Sequence, residues 1–545
     1  MRRRGRLSLF SVCLAAVIAI VNDGARSQAP VSAPNTPRQL RQVAYLKASN
    51  AEAGDHFGCA GSLTAHTGNV IAISSDGSTL AIGAQHESSG AKGVNGNQND
   101  ESAYGAGAVY VFIRRGDSWT QQAYIKASNP GSSYRFGSVV ALSADGNMLA
   151  VSAVWEASAA TGINGNQNDD SRPQAGAAYV FTRTGSTWSQ QAYIKASNTG
   201  RAAVAGDPND FGDGDQFGYS LALSGDGNTL AVGAISEDSR ASSINNTQFQ
   251  NDDSAVSSGA VYVYTRTGST WSQQAYVKGS NTEAGDLFGF NVGLSADGNT
   301  MAVAGYDEDG SARQINGIPD NRRNGSGAIY VFTRTAGAWT QQAYLKGSRS
   351  ETVDSLGYSL AISEDGNTIA GGAADETCYT PGINPPGCTN DRMPNNSVGA
   401  TYVFVRNGNT WTEQAFIKSS NPGLADWFAV RLALSGDGNT LAVSAPNEDS
   451  AAKGINGNQG DDSAQEAGAV YFFTRSGATW TQQAYVKGSN TEAFDEFGSA
   501  VALSRDGRIM VVSARTEDSA AKGVNGNQND NSATDSGAAY VFVNN

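Results

Sequence analysis

Apolar and polar residues along this chain follow one pattern, which is repeated seven times. Each repeat holds a short alternating run, an almost wholly apolar run of the type TLAVGA, then GAVYVFTR, then TWTQQAYIKAS. Short runs of this kind, rich in β-branched and aromatic residues and bounded by Gly, Asp and Asn, predict β-strands. Successive AYIKAS segments start 68 to 83 residues apart, at Ala44, Ala123, Ala192, Ala275, Ala343, Ala415 and Ala484. A strand-rich repeat of that length predicts propeller blades or an array.

The turns indicate that the four strands of each repeat form an antiparallel meander. An Asp-Gly pair joins the first strand to the second, and it is a strong hairpin signal because both turn positions need positive φ. A Gly-centred turn joins the third strand to the fourth. The Asp-Gly pairs are Asp76-Gly77, Asp145-Gly146, Asp226-Gly227, Asp297-Gly298, Asp365-Gly366, Asp437-Gly438 and Asp506-Gly507.

The two ends of the repeat region predict a closed ring. The seventh repeat stops at Asn545 after its third strand, whereas Leu40–Ser49 is a fourth strand with no repeat before it. A propeller closes by pairing such a strand with the incomplete last blade, which removes the open sheet edges. The predicted fold is therefore all-β: a seven-bladed propeller of four-stranded antiparallel blades over residues 40–545.

An FG dipeptide precedes the first strand of most repeats and a GA pair ends the second. The FG becomes Leu356-Gly357 in the fifth repeat and Phe428-Ala429 in the sixth; elsewhere it stands at Phe57-Gly58, Phe136-Gly137, Phe217-Gly218, Phe288-Gly289 and Phe497-Gly498. These motifs resemble the FG-GAP repeats of integrin α-chain head domains and their bacterial relatives. The resemblance implies a propeller that acts in adhesion or ligand binding. The calcium loop that such repeats often carry, DxDxDGxxD, is replaced here by a tight SxDGNT turn.

The N-terminus predicts export. A basic start is followed by an apolar run from Leu7 to Val21 and by small residues at Ala25–Ser27, which is typical of a signal peptide over residues 1–27. We expect a linker at 28–39 and no transmembrane span in the mature chain, so that the protein is secreted, periplasmic or on the cell surface. Cys378 and Cys388 flank one loop and are expected to form a disulfide in such a compartment.

Charge narrows the choice of partners. The net charge is −14, and loss of the signal segment, with five arginines and one aspartate, makes it −18. An acidic protein repels nucleic acid, so we expect an extracellular protein or polysaccharide ligand instead. Histidine occurs at three positions, and neither a nucleophile elbow nor a zinc triad is visible.

Alternation of strand direction places every long connection on one rim of the ring. We call the connections between the second and third strands, and between the fourth strand and the next blade, the long-loop rim; the other rim is the short-turn rim. A Glu, an Asn and often an Asp recur in the second-to-third loops, as repeated calcium sites, as groups that satisfy the loop's own backbone, or as direct ligand contacts. The glutamates are Glu87, Glu156, Glu237, Glu308, Glu376, Glu448 and Glu517.

Two features on the long-loop rim break the repeat. Asp207, Asp210, Asp213 and Asp215 lie within nine residues and are candidate calcium ligands. Trp155 and Trp427 stand where other repeats have mostly small or polar residues, and they are candidate ligand-binding residues. No cofactor is firmly indicated, and calcium remains open.

Three function classes follow from these observations. The first, which we favour, is an exported non-catalytic binding or adhesion module that presents the long-loop rim to a glycan or protein. The second is a carbohydrate-active hydrolase or lyase using carboxylates of the same rim. The third is a structural surface or matrix protein.

Overall fold

Each repeat folds into a four-stranded antiparallel sheet, and the seven sheets form a ring, as the repeat pattern predicts. The computed structural model describes residues 39–59, 68–200, 214–388 and 397–545. The predicted signal peptide and all of the predicted linker except Gln39 lie outside the described residues. The described part of the chain contains no helix.

The first strand of each sheet lies innermost and contacts the first strands of the neighbouring sheets. These inner strands are β2 (Ile71–Ile73), β6 (Phe136–Leu142), β10 (Phe217–Leu223), β14 (Phe288–Leu294), β18 (Leu356–Ile362), β22 (Leu432–Leu434) and β26 (Phe497–Leu503). The second strands are β3 (Thr79–Ala84), β7 (Met148–Ala153), β11 (Thr229–Ala234), β15 (Thr300–Gly305), β19 (Thr368–Ala373), β23 (Thr440–Ala445) and β27 (Ile509–Ala514).

The third and fourth strands complete each sheet toward its outer edge. The third strands are β4 (Ala108–Arg115), β8 (Ala177–Thr184), β12 (Ala260–Thr267), β16 (Ala328–Thr335), β20 (Ala400–Asn407), β24 (Ala469–Ser476) and β28 (Ala538–Asn544). The outermost strands are β5 (Ser118–Ile125), β9 (Thr187–Ile194), β13 (Thr270–Val277), β17 (Ala338–Leu345), β21 (Thr410–Ile417), β25 (Thr479–Val486) and β1 (Leu40–Leu46).

The N-terminal strand closes the ring as predicted. β1 pairs antiparallel with β28, from Leu40 opposite Asn544 to Leu46 opposite Ala539. The seventh sheet therefore has the order β1-β28-β27-β26, and its inner strand β26 contacts β2 of the first blade. Pairing at both ends of the repeat array leaves no blade with a missing strand.

A buried ion pair holds the long second-to-third loop against the outer strand in every blade. The recurring Glu pairs with the Lys of the YIKAS segment; in the first blade Lys126 Nζ donates to Glu87 Oε2 at 2.6 Å. The same carboxylate accepts the hydroxyl of Tyr124 and the amide of Asn50, which comes from the connection before that blade. The seven pairs are Lys126–Glu87, Lys195–Glu156, Lys278–Glu237, Lys346–Glu308, Lys418–Glu376, Lys487–Glu448 and Lys47–Glu517.

The recurring Asn of the same loops satisfies backbone groups of the outer strand. In the first blade the N–H of Asn95 donates to the carbonyl of Tyr124, and its side-chain oxygen accepts the N–H of Tyr124 at 3.0 Å. Asn95 has φ 56°, a left-handed conformation that Asn tolerates better than most residues. The apolar residue before it, Val94, forms a bridge with Ile125. These loop residues thus build the scaffold.

The phenylalanine of the FG motif packs within its own blade, and the glycine approaches the neighbouring blade at very close range. The Phe136 ring lies edge-on to Tyr179 with 5.3 Å between centroids. Gly137 has φ 91°, and a Cβ on it would lie 2.4 Å from the carbonyl oxygen of Ala108. Where the sixth repeat has Ala429 instead, that residue has φ 75° and the inner strand β22 starts only at Leu432. Glycine is therefore favoured at this position both for its backbone conformation and for space.

We expect Gly137→Ala to destabilise the fold strongly, because the methyl group would meet the Ala108 carbonyl. The matched control is Gly116→Ala, which has φ 61° but nothing within 4 Å of the new Cβ. Both variants carry left-handed backbone strain of about 1–2 kcal/mol. Overpacking should cost Gly137→Ala a further ~1–3 kcal/mol in chemical denaturation. Equal losses in the two variants would contradict this account of the motif.

We expect Glu448→Gln to cost about 3–5 kcal/mol of unfolding free energy, because it leaves the buried ammonium of Lys487 without its counter-charge. Asp462→Asn, in the same loop and exposed, is the control and should change stability little. Urea denaturation of both variants gives the comparison. A loss no larger than that of the control would show that the buried pair does not hold the loop.

Candidate ligand-binding rim

All six exposed large apolar side chains of the described chain lie on the long-loop rim. They occur in second-to-third loops and in fourth-to-first connections, and they are 52% to 81% exposed. Single exposed apolar residues are common on protein surfaces, but confinement to one rim favours that rim as a contact surface. The six residues are Tyr104, Val256, Ile318, Val353, Leu424 and Phe494.

The residue before the FG position varies in chemistry from blade to blade although its backbone is constant. It has φ between 51° and 58° in all seven blades. Its N–H donates to a carbonyl that precedes the third strand of the neighbouring blade, as Arg135 does to Gly105 at 3.1 Å. The seven residues are His56, Arg135, Gln216, Leu287, Ser355, Trp427 and Glu496. A fixed backbone with unlike side chains is expected of a position that serves recognition.

Two further positions on this rim vary in the same way. The residue after the FG position is Cys59, Ser138, Tyr219, Phe290, Tyr358, Val430 or Ser499. The residue after the second strand is Gln85, Val154, Ile235, Tyr306, Ala374, Pro446 or Arg515. Because the inner strands surround the axis of the ring, variation is concentrated at the axial end of the long-loop rim. We call the three sets together the axial positions.

Aromatic side chains at the axial positions of the third to fifth blades form an arc. Phe290 stacks on Tyr306 with 4.4 Å between centroids, and it lies 5.3 Å from Tyr219 and 5.8 Å from Tyr358. Tyr306 is half-buried, whereas the other three rings are at most 8% exposed. We call these four rings the aromatic arc.

The two tryptophans singled out in the sequence lie at opposite ends of this arc. Trp155 packs with the cluster that contains Tyr219 and Phe290, and Trp427 packs with Tyr358. Both indole rings are half-buried, so part of each surface is open to solvent. The arc and its tryptophans thus run from the second blade to the sixth.

Cationic side chains occupy the remaining part of the axial rim. The rings of His56 and His86 meet edge to face at 4.9 Å, and Arg515 Nη2 donates to Glu496 Oε1 at 2.5 Å. The guanidinium of Arg135 lies over the indole of Trp155, 3.2 Å from its centroid. We call Arg135, Arg431 and Arg515 the cationic crescent.

Arg431 is the most deeply placed member of the crescent, being 5% exposed. Its Nε donates to the carbonyl of Ser499 at 3.2 Å and its Nη1 to that of Val430 at 3.3 Å. Burial lowers the pKa of Arg431 to about 10, while Tyr219 and Cys59 oppose that shift. Burial also lowers the pKa of His86 to about 4, reinforced by His56 and two arginines. At neutral pH, the guanidinium groups therefore carry the positive charge and His86 is neutral.

Three of the four proposed calcium ligands, Asp207, Asp210 and Asp213, lie outside the described residues. Asp215 is 2% exposed and burial raises its pKa well above the ordinary value. It stands two residues before the FG phenylalanine, where Asp55, Asp286 and Asp426 stand in other blades.

The Asp-Gly turns do not fit calcium. Oδ1 of Asp145 accepts the hydroxyl of Ser143 at 2.6 Å and the N–H of Asn147 at 2.9 Å, and Oδ2 accepts the Asn147 amide. Across the described chain, the one close grouping of three acidic, Cys or His ligand atoms is Glu376 with Cys378 and Cys388. Those two cysteines are joined in a disulfide with Cα atoms 5.6 Å apart, so they offer no thiolate.

A channel of about 290 Å³ runs between the inner strands. Its described lining consists of aliphatic residues such as Ile71, Val140, Leu221 and Leu432, with Asn69 as the polar member. The lining therefore offers no titratable side chain for acid–base chemistry. The chemically varied groups lie on the rim.

The FG-GAP repeat family model matches residues 119–181 and 480–542. Each match covers the outer strand of one blade and three strands of the next, β5 to β8 and β25 to β28. No curated protein matches the chain. Among the described residues, no helix is long and apolar enough to cross a membrane.

Two solved structures are similar to this chain at low identity. The WD40 repeats of RRP9 are 9% identical with a TM-score of 0.45, covering 95% of this chain and 99% of that one. The periplasmic gluconolactonase PpgL of Pseudomonas aeruginosa is 14% identical with a TM-score of 0.41, covering 83% of this chain and 98% of that one.

We expect mild acid to stabilise the protein. Burial raises the pKa of Asp55, Asp286 and Asp426 to about 7 and that of Asp495 to about 8, although each accepts a backbone N–H. A carboxyl group with a folded pKa above its unfolded value of 3.8 binds more protons when folded. Its contribution is complete below that value and is lost as pH rises through 7 to 8.

Calorimetry should therefore give a higher Tm at pH 5 than at pH 8. Asp426→Asn, which keeps an acceptor but cannot ionise, should flatten part of this dependence and raise the Tm at pH 8. A Tm that rises steadily from pH 5 to pH 8 would contradict the prediction.

Proposed function

We propose that this FG-GAP repeat propeller is an exported, non-catalytic binding or adhesion module that takes a glycan or protein ligand at the axial end of its long-loop rim. One observation carries the proposal: the blades share one repeated sequence, but the residues at the axial positions differ in chemical type from blade to blade. A scaffold role would favour the same residue in every blade. Recognition of one ligand instead requires different groups on different sides of it.

The state of the rim carboxylates supports binding over catalysis. The seven recurring glutamates each hold a buried lysine, and Glu496 is paired with Arg515. A glycosidase needs two carboxyl groups that face its substrate across several ångströms. These glutamates are committed to ion pairs and are therefore poor candidates for a catalytic acid or base.

The acidic net charge of −14 supports a partner other than nucleic acid, and the predicted signal peptide supports a location outside the cytoplasm. The exposed apolar residues around the axial positions enlarge the surface on which a protein or polysaccharide would rest.

We expect Trp427→Ala to weaken binding at least tenfold in a panel of polysaccharides and extracellular proteins, because it removes an open aromatic surface at one end of the arc. Trp155→Ala should act similarly, and Trp427→Phe should retain most of the affinity. The control is the charge-neutral double variant Arg115→Ala/Asp117→Ala in an exposed turn on the short-turn rim. Calorimetric titration, with calcium and with chelator, measures the affinities, and product release is assayed in parallel.

Each alternative gives a different result in this experiment. Release of shortened oligosaccharides would identify an enzyme and overturn the proposal. Loss of binding in the control but not in Trp427→Ala would place the site on the other rim. Absence of both binding and turnover would favour a structural component.

A further inference from the structure

We infer that the ligand of the axial rim is an acidic saccharide, whose carboxylate lies in the cationic crescent while its sugar rings lie on the aromatic arc. This inference rests on the proposed function and specifies its ligand. It depends on the placement of two unlike sets of side chains side by side on an otherwise repetitive surface.

The crescent is not a product of the repeat. Arg135 stands before an FG position, Arg515 stands after a second strand, and Arg431 lies three residues after Phe428. Arg135, Arg515 and Arg431 belong to the second, seventh and sixth blades, respectively. The aligned residues elsewhere are mostly neutral, as at Ser220 and Asn291 in the position of Arg431. Three arginines that interrupt the repeat in three different blades are hard to explain by a scaffold need.

Two of the arginines contact the FG segment of the seventh blade. Arg431 Nε donates to the carbonyl of Ser499, which lies three residues after Glu496. Glu496 is the acidic group that pairs with Arg515. A locally positive site on a chain of net charge −14 selects an anion. Guanidinium groups bind carboxylates with paired, charge-assisted hydrogen bonds.

The aromatic arc contacts the uncharged part of the ligand, its sugar rings. Tyr306, Trp155 and Trp427 are half-buried, so part of each side chain is open to solvent, while Phe290 and Tyr358 are buried and pack against Tyr306. Flat aromatic surfaces in a row suit the apolar faces of successive sugar rings. A short acidic peptide would use the crescent but would leave such a row unfilled.

Arg135 connects the two halves. Its guanidinium lies 3.2 Å from the centroid of Trp155, which fixes the plane of the cation at the end of the arc. The guanidinium covers that face of the indole, so an anion held by Arg135 lies at the end of the arc, next to a sugar ring that rests on the other aromatic rings. This adjacency of charge and ring is the geometry of a uronic acid, in which the carboxylate is attached to the sugar.

The inference is tested by titrating the full chain with an oligogalacturonate and with its methyl ester, which keeps the rings but removes the charge. We expect the acid to bind at least tenfold more tightly than the ester, with an affinity that falls as salt is added. Arg135→Gln should remove most of this preference and leave binding of the ester nearly unchanged. Arg508→Gln, an exposed arginine on the short-turn rim, is the matched control and should change neither.

A sulfated oligosaccharide and a poly-glutamate peptide distinguish other anions. Tighter binding of the sulfated chain than of the oligogalacturonate would overturn the assignment to a carboxylate. Equal affinity for acid and ester, or binding of the peptide alone, would overturn the acidic saccharide while the binding function stands. Failure of every probe, with no binding to the wider panel, would overturn both. Arg431→Lys, which keeps the buried charge, provides a second variant if Arg135→Gln does not fold.

Discussion

The buried Glu–Lys pair is the interaction on which the rest of this structure depends. Both charged groups are buried, and burying either of them without the other would strongly destabilise the fold. The long loop must therefore stay packed against the outer strand. The Asn that bonds the same Glu comes from the preceding connection, and the pair thus links one blade to the next. In the seventh blade Lys47 comes from the N-terminal strand and Glu517 from the C-terminal repeat. Ring closure therefore uses the same contact as every other blade.

Seven equivalent contacts of this kind hold the long loops in place, and the side chains at the axial positions take no part in them. Residues that bind the scaffold together are nearly the same in each blade, as Tyr124 and Tyr193 show in adjacent repeats. The axial residues before the FG position have nearly constant φ and different side chains. A ring of similar units can thus present one asymmetric surface, because each blade contributes a few side chains at a fixed place. Arc and crescent are the two sides of that surface.

The fold could be predicted from the sequence because its signals are local and repeated: Asp-Gly turns, strand periods, and an unpaired fourth strand at Leu40–Ser49. The recurrence of Glu87 and its equivalents was also visible. Its lysine partner was missed because Lys126 follows the outer strand β5, 39 residues away along the chain. Position alone placed Trp155 and Trp427 on the long-loop rim. The crescent was missed because Arg135, Arg431 and Arg515 occupy three different repeat positions and meet only in three dimensions.

The most direct test of the central claim is hydroxyl-radical footprinting of the full chain with and without an oligogalacturonate. The side chains that differ between blades should carry the contact, so protection is expected at Trp155, Tyr306 and Trp427. Exposed side chains of the short-turn rim should react equally in both states. Protection of the short-turn rim, or of the outer strands with the axial aromatics unchanged, would contradict the division between a repetitive scaffold and a varied axial site.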